Sequence, residues 1–320
     1  MPGTLIIAET VEGAVAPLSF ELLAAARSLV DQGGGSVSAL VAGDESLAQP
    51  LFEHGADAVY LAPAGSLVSG YAETGVAAAL AACEAAGAEV VLMGQTSLGR
   101  DLAPLMAFRL NTAVAMDCLS LELQEGRLRA TRSCYGGNAN AEVTWRGETQ
   151  IATLKLKAWD ALEPDTSRNG SVVPVEAAGE QRVRVISTEA AEATGVRLED
   201  AEVVVSGGRG LGDPSAFSMM EELSELLGGA TGASRAACDL GWYPPSQQVG
   251  LTGKTVTPNL YIAVGISGAS QHMAGMSGSK NIIAINRDPD ANMVQVARFA
   301  VIEDYKKVVP ALIDAIKGLD

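Results

Sequence analysis

Short apolar runs alternate with helix-period segments through the first hundred residues. "GTLIIAE" (Gly3–Glu9) reads as a buried strand, and "SFELLAAARSLVDQG" (Ser19–Gly33) as a capped helix that stops at glycine. Ser36–Gly43 is a second strand, and "DESLAQPLFEHG" a helix that Pro50 shortens. A strand at Ala56–Ala62, a helix at Ala72–Ala86, a strand at Ala88–Gly94 and a helix at Gly99–Asn111 follow. Strands apolar on both faces, alternating with helices, predict a parallel sheet covered on both sides.

The period changes at Cys118. Cys118–Ala158 alternates polar with apolar residues and carries turn signals at Glu125-Gly126 and Arg146-Gly147. It predicts antiparallel strands or hairpins appended to the sheet. Glu163–Gly179, rich in Pro, Asp, Ser, Asn and Gly, reads as an exposed connection. A second α/β unit opens near Ala201 with the strand "AEVVVSGG". Asp213 then Pro214 start a helix that Gly228-Gly229 ends. Strands at Leu260–Val264 and Asn281–Asn286 and a helix at Asp304–Ile316 complete the chain. The expected fold class is therefore α/β in two domains, 1–200 with a parallel sheet and appended antiparallel strands, and 201–320.

Composition narrows the function. With 320 residues, 48% of them hydrophobic, the chain can bury more than one core. A formal net charge of −16 repels phosphate backbones, so no nucleic acid is expected as a partner, whereas an acidic face suits a basic protein. "MPGTLIIAET" lacks the pattern of a secretory signal. The longest Ala-rich stretch is broken by Glu84 and Glu89, so the protein is not expected to be membrane-embedded. A bacterial cytoplasm is favoured, or a mitochondrial matrix if a presequence has been removed. The four cysteines (Cys83, Cys118, Cys134, Cys238) never stand at C-x-x-C spacing, and there are only two histidines. No metal site is expected, and the thiols read as reduced and mostly buried.

The candidate chemistry lies in the second half. In "VGISGASQHMAGMSGSKNIIAIN" (Val264–Asn286) an apolar strand runs into a Gly/Ser-rich turn, then a helix start, then another apolar strand. Glycines admit a ligand close to the backbone, and clustered N–H groups at a helix start suit a phosphate or pyrophosphate. Asn286 and Asp288, at the end of the second strand, are placed to reach a ribose or base; a turn needed only for packing is the alternative. "SGGRGLGD" (Ser206–Asp213) is a second strand-to-helix turn without the G-x-G-x-x-G spacing, and its Arg209 is either solvated or set for a phosphate. Arg235, among small residues, either stacks on a flat ring or pairs with Asp239. "QVGLTGKTV" offers Gln248, Thr252 and Lys254 but lacks G-x-x-x-x-G-K-[ST], which rules against nucleotide hydrolysis. His272, in its Gly-rich setting, reads as a ligand contact in preference to a structural histidine.

Taken in order, "SGGRG", "GASRAACD", "QVGLTGKTVTPNLYIAVGISGASQHMAGM", "IAINRDPDA" and "KVVPALI" closely resemble the alpha subunit of electron-transfer flavoproteins. The resemblance spans essentially the whole chain and is strongest from Ser206 to Ile316. It implies a nucleotide-binding-like N-terminal domain that contacts a beta subunit, and a Rossmann-like domain holding one FAD. It places Arg209 near the flavin and the subunit boundary, and Ser234 and Arg235 beside the isoalloxazine. Gln248, Val249, Gly250, Leu251 and Thr252 lie at the ring, with Thr252 a partner for flavin N5. Ser267, Gly268, Ala269, Ser270, Gln271 and His272 cover the ribityl and phosphate region, His272 near the pyrimidine carbonyl. Asn286 and Asp304 serve the adenosine end. The family often has Gln where this chain has Leu251, so only a backbone contact survives there.

The resemblance implies a redox carrier without substrate chemistry of its own. Such a carrier takes electrons from flavin dehydrogenases, of the acyl-CoA type, and passes them to a quinone-linked oxidoreductase. The rival readings are a subunit of an NADH-linked electron-bifurcating flavoprotein, an NAD-binding transferase-type enzyme, and a nucleotide-binding module whose ligand never turns over. The absence of a histidine with an adjacent base disfavours the transferase.

Overall fold

The computed structural model describes residues 3–68, 72–135, 139–176 and 196–318. The chain divides into two compact units. One takes Met1–Cys134 and Ala139–Ser187; the other takes Thr188–Asp320 together with Tyr135–Asn138. Among the described residues no helix is long and apolar enough to cross a membrane.

The first unit runs β1 (Gly3–Ile7), a small hairpin of β2 (Thr10–Val11) and β3 (Ala14–Val15), α1 (Pro17–Gly33), β4 (Val37–Ala42), α2 (Ala48–Glu53), β5 (Ala58–Ala62), α3 (Ala72–Ala86), β6 (Ala88–Gly94) and α4 (Ser97–Arg109). Then come β7 (Val114–Gln124), β8 (Arg127–Cys134), β9 (Ala139–Thr144), β10 (Gln150–Leu154) and β11 (Ser171–Pro174). They form a mixed nine-stranded sheet in the order β11-β5-β4-β1-β6-β10-β7-β8-β9. The strands are parallel as far as β7, and β8 and β9 are antiparallel. Alternation along β1 sends Ile6 into one core with Leu22 and Leu23 of α1, and Leu5 and Ile7 into the other with Ala79 of α3 and Leu102 of α4.

The expected rhythm is present, with four corrections. Helix α1 starts two residues early, because Pro17 opens its first turn. Ser19 is therefore no cap; its hydroxyl accepts from the Glu9 amide at 2.9 Å and donates to the Glu9 carbonyl. Helix α4 begins at Ser97, where the Thr96 hydroxyl accepts from the Gly99 amide. Gln150–Leu154 is not part of a hairpin. It is all buried, and pairs in parallel with β6 on one side and β7 on the other. Within the expected connection 163–179, Val172 and Val173 carry a short parallel edge strand, β11, against β5; residues 177–179 lie outside the described residues. The hairpin at Glu125-Gly126 forms as expected, with φ of 52° and 78°, the left-handed pair that a two-residue turn requires.

The second unit runs β12 (Val203–Gly207), α5 (Phe217–Leu226), β13 (Ala230–Ser234), α6 (Arg235–Asp239), β14 (Gln248–Val249), β15 (Leu260–Val264), α7 (Ser270–Met273), β16 (Asn281–Asn286), α8 (Asn292–Val296), β17 (Phe299–Ile302) and α9 (Tyr305–Lys317). Its sheet is wholly parallel, ordered β14-β13-β12-β15-β16-β17. Val205, Ile262, Val264 and Ile285 face a core shared with α5 and α9, while Val204, Tyr261, Ala263 and Ala284 face the opposite core. Strands β13, β14 and β17 are additions to the sequence reading. "ATGAS" is too small-residued to show a strand pattern, although Ala230–Ala233 are buried.

Between β12 and β15 the strand order reverses, and there two glycine turns touch backbone to backbone. The Gly208 amide donates to the Val264 carbonyl at 2.8 Å, and the Gly210 amide to the Gly265 carbonyl at 3.0 Å. A Cβ on Gly210 would stand 2.6 Å from the Gly265 carbonyl oxygen. Gly265 has φ +63°, and its Cβ would stand 2.9 Å from the Gly210 carbonyl carbon. Gly228 shares that φ but has nothing within 4 Å of its Cβ position. Comparing the two therefore separates backbone strain from collision. In urea unfolding, Gly228→Ala is expected to cost about 1 kcal/mol. Gly265→Ala is expected to cost about 2 kcal/mol more, because backbone must move. Equal losses would mean that the turns do not need their contact.

Candidate functional site

A cleft of about 630 Å³ opens at the carboxyl ends of the second unit's strands, around the reversal of strand order. The turn after β12 supplies Arg209 and Gly210; the end of β13 and α6 supply Ser234, Arg235, Ala236 and Asp239. Gln248, Val249, Gly250, Leu251 and Thr252 form one wall. Gly265, Ile266, Ser267, Ala269, Gln271 and His272 form another, and Asn286, Asp288 and Ala291 close the far end. Most sequence candidates thus converge on one cleft. Gly268 and Ser270 line a neighbouring groove on the other side of their loop. Asp304 caps α9, accepting from the Lys306 amide at 3.0 Å and pairing with Arg287. That amide, with Arg287 beside it, holds its carboxyl below the usual range.

Local bonding explains how each wall is held. The Leu251 amide donates to the Gln271 carbonyl at 2.7 Å, so one wall rests on the other through backbone, and Leu251 itself is exposed. The buried Gln248 amide donates to Thr252 Oγ1 at 3.1 Å. Asn286 donates to the Ile266 carbonyl at 2.9 Å and accepts from the Asp288 amide. The Ser234 hydroxyl caps α6. Helix α7 is only four residues long, so a macrodipole is not the source of positive potential here. Free donors are: the amides of Ser267, Gly268, Ala269 and Ser270 find no acceptor among the described residues. Arg235 pairs with Asp239 at 3.4 Å, the anion pairing weighed against stacking, with both side chains more than 60% exposed, so the pair is weak. Arg209 is exposed and has no ion pair among the described residues.

Two family models match the chain. The electron transfer flavoprotein domain covers residues 4–180, and the electron transfer flavoprotein FAD-binding domain covers 197–277. The electron transfer flavoprotein subunit alpha of Thermoanaerobacterium thermosaccharolyticum is 41% identical over 322 residues, covering 98% of this chain and 97% of the relative. That of Bacillus subtilis is 37% identical over 320 residues, with 99% and 98% covered. A protein named FixB from Clostridium saccharobutylicum is 38% identical, with 99% and 97% covered.

The chain belongs to the electron-transfer-flavoprotein alpha-subunit family. Proteins of this family transfer electrons and have no independent substrate chemistry; their cofactor is FAD. The cleft fits that group on its own chemistry. Glycines leave the backbone bare, unpaired amides face an anion's needs, and two guanidinium groups stand at the rim. Gly210, Ala236, Gly265, Ile266 and Ala291 line the cleft without having been singled out, since none carries a functional group that a sequence pattern displays.

His272 is 7% exposed, and its Nε2 lies 2.9 Å from the Tyr261 hydroxyl. Its Nδ1 is buried without a partner of normal hydrogen-bonding geometry. Burial lowers its pKa to about 4, against an ordinary 6.5, and the Val249 backbone acts in the opposite sense. The cleft wall thus carries a neutral imidazole at neutral pH. Between the two pKa values the unfolded chain binds this proton and the folded chain does not. Stability is therefore full above pH 6.5 and falls as the pH drops towards 4, by about 3 kcal/mol. His272→Gln is expected to flatten that fall in unfolding measured from pH 7 to 4, whatever it does to absolute stability. An unchanged slope would place the proton uptake elsewhere.

Proposed function

We propose that this chain is the alpha subunit of a heterodimer with an electron-transfer-flavoprotein beta subunit, and that its cleft holds the FAD of a diffusible electron carrier. Electrons arrive from flavin dehydrogenases, of the acyl-CoA type that serve fatty-acid oxidation, and leave for a membrane quinone oxidoreductase. Residues 1–200 contact the beta subunit, 201–320 form the FAD-binding domain, and the carrier works in a bacterial cytoplasm. The observation that carries the reading is the pairing of unoccupied backbone donors at Ser267–Ser270 with cations at Arg209 and Arg235 around one cleft. The strand order, 3-2-1-4-5-6 in the unit's own numbering, supports a Rossmann-like arrangement, which binds dinucleotides at the reversal.

FAD, when bound, supplies the electron chemistry; the chain supplies position and field. The free amides of 267–270 hold the pyrophosphate. Thr252 already accepts from Gln248, so its own proton is free to donate, which suits it to flavin N5. Asn286 is tied to the Ile266 carbonyl and the Asp288 amide, and Asp304 to α9, so both serve the adenosine end as fixed groups. The Arg235 cation beside the ring favours added negative charge on the flavin and raises its potential. Asp239 shields part of that charge.

The complex purified with its accompanying chain is expected to show one flavin per heterodimer during stepwise reduction. Two flavins, with NADH reducing the complex, would favour a bifurcating assembly; absence of flavin would overturn the reading. Arg235→Gln is expected to lower the first reduction potential by roughly 30 mV, about half a tenfold change in a one-electron equilibrium. An unchanged potential would remove Arg235 from the ring.

A further inference from the structure

Behind the cleft wall lies a polar cluster inside an apolar core. Tyr261 is fully buried on β15, between Ile282 and Val204 in the sheet register. Its hydroxyl has two polar neighbours. One is His272 Nε2 at 2.9 Å. The other is the Ser206 hydroxyl on β12, which is itself buried without a partner of normal geometry. Gly232 on β13 makes room for Ser206, since a Cβ there would stand 2.5 Å from Ser206 Oγ. Three strands thus contribute to this cluster, at the cost of polar groups in a core that aliphatic residues would fill.

The hydrogen inventory assigns the protons. A buried tyrosine keeps its proton at neutral pH, and burial pushes this one well up. His272 Nδ1 has no partner of normal geometry. With the Ser206 hydroxyl beside it as a donor, the phenol's own proton is free for Nε2, and the ring's proton then sits on Nδ1. A flip of the ring would swap a nitrogen for a carbon at the hydroxyl and lose the bond.

We propose that Tyr261 is a positioning residue for the cleft: its hydroxyl, lodged beside Ser206, donates to His272 Nε2 and so fixes the imidazole in one orientation and one tautomer, with Nδ1–H its only donor. This rests on the reading that the flavin's polar edge lies against His272. The cleft wall that His272 lines is then backed by a side chain that cannot turn over. Tyr261 acts only through His272 and touches neither cleft nor cofactor.

The chain has two histidines, so ring-nitrogen NMR is tractable. His54, whose Nδ1 lies 2.8 Å from the Pro50 carbonyl, is an internal reference for an Nδ1–H ring. The complex is labelled with ¹⁵N-histidine, and the His272 signals are identified by their loss in His272→Gln. Wild type is expected to show Nδ1 protonated and Nε2 bare. Tyr261→Phe, which removes only the hydroxyl, is expected to give averaged shifts and three- to tenfold weaker FAD retention, the scale of one lost hydrogen bond. Site-specific 3-fluorotyrosine at 261 keeps ring and hydroxyl, and is expected to move the Nε2 shift further in the direction of a stronger donor; it serves if Tyr261→Phe does not fold. A protonated Nε2 in wild type, or an unchanged tautomer in both variants, overturns the proposal. A scrambled tautomer with unchanged FAD retention also overturns it, since nothing would then be positioned. A complex without flavin overturns the reading of the cleft instead, and the tautomer alone then decides what Tyr261 does.

Discussion

The second unit depends on the approach of two backbones. At the reversal of strand order, chains leaving β12 and β15 depart towards opposite sides of the sheet, and nothing in a parallel ladder holds them together. Here Gly208 and Gly210 lie directly on Val264 and Gly265, joined by two amide–carbonyl bonds. The two turns become one rigid floor. Because that floor is made of main chain, it leaves the chemistry to residues further along each turn: Arg209 on one side, Ser267 to His272 on the other. The wall 248–254 is anchored in the same way, through Leu251 to the Gln271 carbonyl and the close fit of Gly275 under Gly250.

The electrostatics of the cleft run against those of the chain. The molecule carries sixteen excess negative charges, yet the rim holds two guanidinium groups and the inner wall offers amides. Its carboxylates, Asp239 and Asp288, are both in exposed positions, where solvent screens them. His272 adds a dipole and no charge. Attraction for an anionic ligand therefore comes from short-range donors whose effect survives salt, while the surface keeps its repulsion for other polyanions.

Much of this was legible in the residues, and the losses have physical reasons. Continuous apolar runs such as Leu260–Val264 and Asn281–Asn286 declared themselves, as did the cap at Asp213 and the glycine turns. Strand β13 did not, because Ala-Thr-Gly-Ala-Ser is small for a reason that only the sheet reveals: Gly232 yields its space to Ser206. Strand β17 is exposed along its whole length and carries no buried face to read. His272 was visible as a polar residue among glycines, but its partner was not, since Tyr261 looks like one more apolar member of a strand. Pairing between strands distant in sequence, as for β10 and β11, leaves no local periodicity at all.

The placement of β10 bears on how the chain is made. Strands β7, β8 and β9 leave the ribosome before β10, but they join the parallel sheet only through β10, which fills the gap beside β6. Until residue 154 has emerged, β6 presents an open edge that is apolar apart from Glu89, and the antiparallel ribbon has no dock. From residue 94 to residue 154, synthesis thus imposes a waiting period, roughly three to twelve seconds at cellular elongation rates, in which this edge must be kept from other chains. Helices α1 to α4, two on each face of the sheet, can form during that interval, whereas insertion of β10 is a late step with long sequence separation, the kind that sets a slow folding rate.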